Sequence, residues 1–442
     1  MDLDEKLKQL RRERNARARR SHNVESAWEK IDSEDTLSVK EKLERLITLT
    51  EAGRYPKPRS ESTTPAGRSK RRETVELHEN PYLLGARYGQ IPIGLGLEIP
   101  GPVLAFLSRD ASFEALDLKS AVFLDLETTG LAGGTGTVPF LVGLGYYRDD
   151  RFKVTQFFLS EMAEEDRLVR EVGEFLRDME FKSVVTYNGK AFDLPLLETR
   201  FALHRTPFPA RDWPHLDFLF SARNLWKHKY ESCRLFDLAQ QIVQAERSED
   251  IPGAEIPLRY FQYIRTGDYS LMEPVLYHNQ EDILSLLGVV VAGAVLVDRN
   301  RNAMEGGEAD AMDLYGVAKL FETAGDSATS ARLLERALEG RLSSEVSRTA
   351  RMKLSHHFKK ARDWDKAVSL WQGMTREEKA FSFRELSMYH EHKAKDFAEA
   401  LRAAEEGLAA SRSGPPAEHR DFEKRIQRIK GKIQRQKGGH RP

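Results

Sequence analysis

The 442-residue sequence lacks most features that would tie it to an oxidising compartment or a membrane. Cys233 is its only cysteine, so neither an intrachain disulfide nor a cysteine metal cage can form. The longest uncharged run, ILSLLGVVVAGAVLV at 283–297, falls short of the roughly 20 residues that a membrane span needs, and we interpret it as a buried core helix. The N-terminal stretch MDLDEKLKQLRRER lacks the apolar core of a signal peptide. We therefore expect a cytoplasmic protein with no membrane partner.

Net charge is also lacking, because 69 Lys and Arg residues balance 69 Asp and Glu residues. The whole chain therefore has no overall charge with which to attract a polyanion, and any affinity for nucleic acid must be local. Arg and Lys cluster at 11–20, at 68–72 and between 420 and 441. These clusters are candidate phosphate contacts, and solvated, mobile termini are the alternative interpretation of each.

The length and the shifts in composition predict several regions. Residues 1–80 combine charged helical patterns with the stretch YPKPRSESTTPAGRSKRR, whose low apolar content predicts a largely disordered arm and linker. Residues 81–119 form a lead-in segment. A main domain follows at 120–300, a helical domain at 310–412 and a basic tail at 413–442.

The main domain begins with three strand-like runs in quick succession, AVFLDLE, VPFLVGLGYY and RFKVTQFFLS. Short turns between them predict an antiparallel meander. A helix, a fourth strand (SVVTYNG) and another helix come next. This order predicts an α/β fold with a mixed sheet, an antiparallel start and flanking helices.

Beyond residue 310 the strand patterns stop and helical segments recur with an irregular period in the thirties. Ala331, Ala367 and Ala400 fall at matching places in these segments. Small residues at this spacing are typical of stacked helix pairs of the tetratricopeptide kind, although the full consensus is absent. An irregular helical bundle is the alternative.

Two carboxylates stand in the first strand of the main domain, in the stretch FLDLETTGLAGGTGT. Residues i and i+2 of a strand share a face, so Asp125 and Glu127 point together while Leu124 and Leu126 face the core. Adjacent carboxylates repel unless a cation lies between them, and oxygen ligands favour hard ions such as Mg²⁺ or Mn²⁺. The pair indicates a metal site, with a solvated strand face as the alternative.

Further acidic residues stand at the ends of later elements. Asp193 follows an Asn-Gly turn in YNGKAFDLPLL, where a helix begins. Asp282 comes one helical turn after His278 in YHNQEDILSLL, so both side chains lie on one helix face. Each residue alone has an alternative interpretation. Asp193 could be a helix cap, and Asp282 could be a solvated helix residue.

The patterns DxE, NxxxFD and HxxxD, in this order, resemble the three motifs of the DEDD superfamily of 3′→5′ exonucleases, which have an RNase H-like fold. The resemblance spans roughly residues 120–298. A similarity to the YprB-type ribonuclease H-like subfamily in particular is found in the stretches QFFL, DIPGAEIPLRYFQYIRTGD and HNQEDILSL. A tetratricopeptide-like tail also fits that subfamily.

The resemblance implies that Asp125, Glu127, Asp193 and Asp282 bind two divalent ions, Mg²⁺ or Mn²⁺, roughly 3.5–4 Å apart. It implies that four carboxylates, with no positive ligand, offset the charge of the ions. His278 would be the general base. Relatives with a histidine base usually place it five residues before the last aspartate, where this chain has Tyr277, so Tyr277 is the second candidate.

Substrate contacts are predicted beside these acids. The glycine-rich turn would let a nucleotide end approach Thr128, Thr129 and Gly130, and a hairpin that needs glycine is the alternative. The other candidates are Asn188, Lys190 and Phe192. Phe192 and Trp226 could each stack on a base, but core packing is the preferred assignment for both.

We therefore expect a metal-dependent nuclease, most simply a 3′→5′ exonuclease that acts on single strands or 3′ ends of DNA or RNA. The repeats would offer a surface to a protein partner. The alternative is a catalytically weak nucleic-acid-binding or scaffold protein that acts through its repeats. Sugar preference, exonuclease versus endonuclease action, and oligomeric state are left open.

Overall fold

The computed structural model describes residues 75–130, 136–248, 250–301 and 309–438. These described residues divide into two compact units, one within Met1–Ala222 and Ser232–Val295 and the other within Arg223–Glu231 and Leu296–Pro442. Several predictions fall outside the described residues: the arm and linker up to residue 74 with both of its basic clusters, the glycine-rich turn at 131–135, and the last four residues of the basic tail.

A six-stranded mixed sheet forms the centre of the first unit, in the order β1-β6-β5-β4-β7-β8. Strands β1, β6, β5 and β4 are antiparallel neighbours, whereas β7 and β8 continue parallel to β4. The predicted mixed sheet with an antiparallel start is therefore confirmed. The strands, with the separate two-stranded hairpin β2–β3, are β1 (Val75–Leu83), β2 (Arg87–Tyr88), β3 (Ile91–Pro92), β4 (Ala121–Thr128), β5 (Pro139–Arg148), β6 (Arg151–Leu159), β7 (Ser183–Thr186) and β8 (His215–Asp217).

Strand β1 differs from the sequence prediction, which placed residues up to 80 in a disordered arm. Its residues alternate between more buried and exposed positions, as a strand at a sheet edge should. The prediction was wrong here because the acidic residues and Pro81 weaken the strand signal. At an edge Pro81 is tolerated, because only one side of the strand needs backbone hydrogen bonds.

Seven helices lie in the described part of the chain between residues 75 and 301. They are α1 (Gly101–Ser108), α2 (Glu165–Asp178), α3 (Asp193–Leu203), α4 (Phe218–Trp226), α5 (Leu235–Leu238), α6 (Ile256–Thr266) and α7 (Glu273–Arg301). Short 3-10 segments lie at Ile93–Glu98, Ala111–Ala115, Leu118–Ser120, Met162–Glu164, Gly253–Glu255 and Tyr269–Leu271, and a π-helical turn lies at Ala239–Val243.

The long apolar run lies in α7, as predicted for a core helix. Among the described residues this is the one helix long and apolar enough to cross a membrane, and 72% of its most apolar window is buried inside the protein. Aromatic packing adds to the core beside it, where the rings of Phe140 and Tyr260 stack with centroids 3.9 Å apart. Burying a side chain of this size contributes about 1.5–3 kcal/mol.

The second unit consists of helices in its described part. They are α8 (Ala311–Thr323), α9 (Ser327–Glu339), α10 (Ser344–Ala361), α11 (Trp364–Gly373), α12 (Lys379–Tyr389), α13 (Phe397–Ala410) and α14 (Pro416–Gly438), with a π-helical turn at His390–Ala394 and a 3-10 turn at Ser411–Ser413. Ala331, Ala367 and Ala400 lie buried in α9, α11 and α13. Each of these three helices begins after an aspartate whose carboxylate accepts a backbone N–H bond, as N-caps do.

The basic tail contributes a packed helix rather than an unstructured arm. Phe422, Ile426 and Ile429 of α14 pack with Ala400 and Ala404 of α13 in one apolar cluster. The apolar spacing of three and four residues places these side chains on one helix face. The Lys and Arg residues obscured this pattern in the sequence.

A buried ionic cluster ties α14 to the turn after α12. The carboxylate of Glu391 is fully buried and accepts hydrogen bonds from Arg428 Nε at 2.9 Å, Arg428 Nη2 at 2.7 Å and Lys432 Nζ at 2.8 Å. Burial alone would raise the pKa of Glu391, but the bonds from Arg428 and Lys432 outweigh it and lower the pKa to about 2.

Replacing Glu391 by Gln should lower the stability of the second unit by about 1–3 kcal/mol, because Arg428 and Lys432 lose a charged acceptor. The folded pKa lies below the ordinary value of 4.5, so the contribution is complete above pH 4.5 and is lost as the pH falls towards 2. The difference between wild type and Glu391→Gln should therefore shrink over that range. Hydrogen–deuterium exchange of α14 peptides, corrected for intrinsic exchange at each pH, measures it.

Glu405→Gln is the matched control. Glu405 meets Lys430 at 3.5 Å with both side chains more than half exposed, so its removal should change stability by less than about 0.5 kcal/mol. Equal protection of α14 in Glu391→Gln and wild type at pH 7 would contradict the assignment.

Candidate active site

The site begins with a row of residues that crosses the centre of the sheet. Asp125 of β4 lies opposite Gly143 of β5, and Gly143 lies opposite Gln156 of β6. Cross-strand partners share a face, so Gly143 leaves an opening between a carboxylate and a carboxamide. Helix α7 lies over that opening.

Asn279 of α7 fills the opening and is completely buried. Its Nδ2 donates to Asp125 Oδ2 at 2.8 Å, and its Oδ1 accepts from Gln156 Nε2 at 2.8 Å. The carboxamide therefore links β6 to β4 and holds the carboxylate of Asp125.

Two glycines of β5 allow this close approach. A Cβ atom at Gly143 would lie 2.2 Å from Asn279 Oδ1, and one at Gly145 would lie 2.4 Å from Ile283 Cγ2. The i, i+2 spacing in the strand thus matches the i, i+4 spacing on the helix. The pattern VGLGYY is explained by helix packing.

Asp193 is the first residue of α3 and follows a turn that a second aspartate holds. Asn188 has a positive φ of 71°, and the backbone N–H groups of Asn188 and Lys190 donate to the two carboxylate oxygens of buried Asp217 at 2.8 and 3.0 Å. Asp217 thereby fixes the turn that delivers Asp193. The backbone N–H of Leu126, between the two acids of β4, is hydrogen-bonded to the Asp193 carboxylate.

His278 and Asp282 both lie on α7, as the HxxxD spacing predicts. His278 Nε2 lies 3.4 Å from Asp282 Oδ2 and 4.0 Å from Glu127 Oε1. On its other side, His278 Nδ1 lies 2.7 Å from Asp250 Oδ1. The imidazole therefore stands between Asp250 and the acids of β4 and α7.

Arg247 adds a positive side chain that the resemblance did not lead us to expect. Its Nη2 donates to Asp282 Oδ1 at 2.6 Å and its Nη1 donates to Asp250 Oδ2 at 3.0 Å. The side chain is only 1% exposed. An arginine in such surroundings keeps its charge, so Asp282 has a permanent cationic partner.

Asp125, Glu127, Asp193 and Asp282 lie close together and partly buried, so each carboxylate affects the pKa of its neighbours. Burial, followed by the charges of Asp282, Glu127 and Asp193, raises the pKa of Asp125 well above its ordinary value. Burial also raises the pKa of Glu127 to about 8 and that of Asp193 to about 7. Such shifts arise where carboxylates lie together without enough positive charge.

Asp282 behaves differently from its three neighbours. Burial favours its neutral form, but the hydrogen bond and charge of His278 and the charge of Arg247 lower its pKa below the ordinary value. Burial likewise opposes the charge on His278, yet the bonds to Asp250 and Asp282 raise the pKa of His278 to about 11. His278 is therefore protonated at neutral pH in this arrangement.

The donors present suit a hard divalent cation in their chemistry, since they are carboxylate oxygens that destabilise one another by repulsion. Their positions are not those of a finished cage. Within the described ranges no group of three or more His, Cys, Asp or Glu side chains has metal-binding geometry. Asp282 points to Arg247 and His278 instead, so a bound ion would have to draw it away from these partners.

The structure places the other predicted residues as follows. Tyr277 lies near Tyr82 of β1. Burial, together with the nearby Tyr277, raises the pKa of Tyr82. His278, in contrast, faces the acids. Thr129 is buried and its Oγ1 accepts a bond from Val138 N–H, so it supports the strand rather than a surface contact. Thr128 Oγ1 donates to the carbonyl of Gly130 at 2.8 Å. Both threonines serve the local backbone.

The aromatic assignments divide. Trp226 is buried, as core packing predicts, whereas Phe192 is 57% exposed and the prediction of core packing was wrong for it. Phe192 lies on the surface because it precedes the first turn of α3 and follows exposed Lys190 and Ala191.

Sequence reasoning missed several residues that complete the site, namely Gln156, Asp217, Arg247 and Asp250. Gln156 and Asp250 do stand in the stretches QFFL and DIPGAEIPLRYFQYIRTGD, on which the family resemblance partly rests. Their roles in the site were not predicted, because the residues that they contact across the site are far away in sequence. Arg247 carries no such signal.

The mixed sheet with acids on its central strand places this region in a known class. Residues 122–292 match a family model described as RNase H superfamily. The class points in general terms to a nuclease, and RNase H-like nucleases generally use divalent metals. The chain belongs to the YprB family: it is 34% identical over 332 residues to "Uncharacterized protein YprB" of Bacillus subtilis (strain 168), covering 74% of this chain and 78% of that protein.

One solved structure is also similar, a family B DNA polymerase from the hyperthermophilic archaeon Pyrobaculum calidifontis. The match covers 50% of this chain and 28% of the polymerase, at 15% identity and a TM-score of 0.33. A likeness at this level carries no argument for function.

Replacing Gly143 by Ala should displace the Asn279 carboxamide, because the new methyl group cannot coexist with Oδ1 at 2.2 Å. Overpacking of this kind costs about 1–3 kcal/mol. We expect a lower melting temperature and faster amide exchange in peptides from β4 and α7. Differential scanning fluorimetry and hydrogen–deuterium exchange measure both.

Gly85→Ala provides the control, since a methyl group there meets nothing within 4 Å. It should leave the melting temperature and the exchange of β4 unchanged. A Gly143→Ala variant as stable as Gly85→Ala would show that Asn279 does not depend on this opening.

Proposed function

We propose that the protein is a divalent-metal-dependent nuclease and, more narrowly, a 3′→5′ exonuclease that hydrolyses phosphodiester bonds of DNA or RNA. The observation that supports this most is the set of partly buried acids Asp125, Glu127 and Asp193, whose pKa values are raised by burial and by neighbouring carboxylates. Carboxylates held together away from water repel one another, and a bound cation would relieve this repulsion.

Asp125, Glu127, Asp193 and Asp282 are the residues that would hold two ions of Mg²⁺ or Mn²⁺. When bound, such ions would supply activation of a water molecule and stabilisation of the leaving 3′ oxygen. Around them, the protein supplies fixed oxygens: Asn279 holds the carboxylate of Asp125, and the turn bound to Asp217 holds the start of α3. Asp282 remains ionised and is therefore already in the form that a ligand needs.

His278 is our candidate for the general base, with Nε2 as the atom that takes the proton. It faces Glu127 and Asp282, whereas Tyr277 lies near β1. The negative charges around His278 keep it protonated, and a protonated imidazole accepts no proton. The role therefore requires that cations take up the charge of Glu127 and Asp282 first.

The substrate would be a single strand or a 3′ end of nucleic acid. Phe192 offers an exposed ring immediately before Asp193, and Lys190 offers an exposed cation on the same turn. An aromatic face binds any base by stacking, and a lysine binds the backbone phosphate. Contact with the backbone near Thr128 and Gly130 belongs to the same proposal.

The helical second unit would present a surface to a protein partner, in the manner of tetratricopeptide-like repeats. Buried Ala331, Ala367 and Ala400 at matching places after aspartate caps support this part of the proposal. A cytoplasmic location, in keeping with the single cysteine, remains a prediction.

Asp193→Asn should abolish hydrolysis and weaken Mn²⁺ binding while keeping the fold, because the amide has the same shape without the charge. The assay is a time course on 5′-labelled single-stranded and 3′-overhang DNA and RNA with Mg²⁺, Mn²⁺ or EDTA. Isothermal titration calorimetry with Mn²⁺ measures binding of the ion independently of catalysis. We expect a metal-dependent ladder that shortens from the 3′ end in the wild type only.

Asp149→Asn, on the exposed turn between β5 and β6, is the control for this change and should cleave like the wild type. Wild-type turnover in Asp193→Asn would refute the metal assignment. Nucleic-acid binding without cleavage in any metal, by wild type and variant alike, would favour the alternative of a binding or scaffold protein.

Phe192→Ala should raise the KM for single-stranded substrate by about 10- to 100-fold, since stacking of a base on an aromatic ring is worth about 1–3 kcal/mol. Leu203→Ala removes a similarly exposed apolar side chain at the far end of α3 and should leave KM unchanged. Steady-state kinetics on the labelled strands compares the two. Equal KM values for both variants would remove Phe192 from the substrate site.

A further inference from the structure

Asp250 uses both of its carboxylate oxygens at the site, although no sequence motif assigned it a role. Oδ1 accepts from His278 Nδ1 at 2.7 Å and from the backbone N–H of Ile251 at 2.9 Å. Oδ2 accepts from Arg247 Nη1 at 3.0 Å. The carboxylate is 10% exposed, so water competes little for these positions.

Arg247 is held as firmly as the carboxylate that it binds. Its Nη2 reaches Asp282 Oδ1, Ser285 Oγ at 2.7 Å and the carbonyl of Glu281 at 3.1 Å, and its guanidinium carbon lies 5.4 Å from the centre of the Phe236 ring. A planar guanidinium with bonds on two edges cannot rotate without breaking several of them.

The hairpin β2–β3 supports the same segment from outside. The hydroxyl of Tyr88 lies 2.8 Å from Ser285 Oγ and donates to Glu281 Oε2 at 2.9 Å. The backbone N–H of Gln90 donates to the carbonyl of Val243 at 2.7 Å, just before Arg247 in the chain. Hydrogen bonds thus connect the hairpin to the residues that Arg247 contacts, and Arg247 to Asp250.

These contacts leave His278 one orientation. With Nδ1 bonded to Asp250, the opposite ring nitrogen, Nε2, points to Asp282 and Glu127. Rotation about the Cβ–Cγ bond would break the bond to Asp250 and turn Nε2 away from the acids. A ring nitrogen can exchange a proton only with groups that it faces, so the position of the ring decides whether it acts.

We propose that Asp250 is a positioning residue for His278, which keeps Nε2 directed at the carboxylate site in the way a carboxylate orients an imidazole in other hydrolases. This inference rests on the proposed function in one respect, namely that His278 is the group that moves the proton. The bond between Asp250 and His278 itself does not depend on that role.

A purely stabilising ion pair would behave differently. Its loss would lower the melting temperature and the amount of folded protein, and the folded fraction would turn over normally. Loss of a positioning residue lowers kcat in protein that remains folded and still binds substrate. The two interpretations therefore separate in kinetics at a temperature well below melting.

The kinetic test compares Asp250→Asn, Asp250→Glu and the exposed control Asp149→Asn at saturating Mn²⁺, with Mn²⁺ binding verified by titration. For Asp250→Asn we expect kcat to fall by about 10²–10⁴-fold, the share that a positioned general base supplies, with KM within about threefold of wild type. Asp250→Glu, which keeps the charge, should recover at least tenfold of that loss. Unchanged kcat in folded Asp250→Asn would overturn the inference.

A second measurement needs no activity. In metal-free protein labelled with ¹⁵N-histidine, a proton held between Nδ1 and a buried carboxylate should give a slowly exchanging downfield N–H resonance, assigned by its absence in His278→Gln. It should disappear or move strongly upfield in Asp250→Asn and stay in Asp149→Asn. Its persistence in Asp250→Asn would overturn the inference.

The two measurements keep the failures apart. If wild-type protein cleaves no nucleic acid in any metal, the proposed function fails, and the resonance alone decides whether Asp250 orients His278. If the wild type cleaves and the resonance is lost in Asp250→Asn without loss of kcat, the proposed function stands and the positioning role is refuted.

Discussion

Close contact between α7 and the central sheet is the constraint on which the site depends. The helix brings His278, Asn279 and Asp282 to the sheet only because β5 has no side chain at Gly143 or Gly145. A single methyl group at Gly143 would clash with the Asn279 carboxamide and displace it. The acids of β4 would then lose both the carboxamide that holds Asp125 and the helix that carries Asp282.

Much of this architecture follows from local patterns. The alternation in β4 places Asp125 and Glu127 on one face, and the HxxxD spacing places His278 and Asp282 together, because strand and helix periods are fixed by backbone geometry. The order of strands and helices predicted the mixed sheet. The repeated alanines suggested stacked helix pairs, and in the structure Ala331, Ala367 and Ala400 lie buried in three helices of the second unit.

The remaining parts of the site depend on contacts between distant residues. Gln156, Asp217 and Asp250 are single polar residues whose partners lie 123, 27 to 29 and 28 residues away, so no local period marks them. Arg247 shows a similar limit, since its partner Asp282 lies 35 residues away and no local pattern pairs it with Asp250, three residues further on. Strand β1 was missed for a related reason: an edge strand needs less apolar sequence than a central one.

The order in which the acids occur along the chain has a consequence for biosynthesis. Asp125 and Glu127 emerge from the ribosome long before Asp282, because α7 follows every strand of the sheet in the chain. A growing chain therefore contains Asp125 and Glu127 for a time without the residues of α7 that contact them. Only a chain that has reached Asp282 can bring the acids of β4 and α7 together, so a shorter nascent chain lacks the complete site.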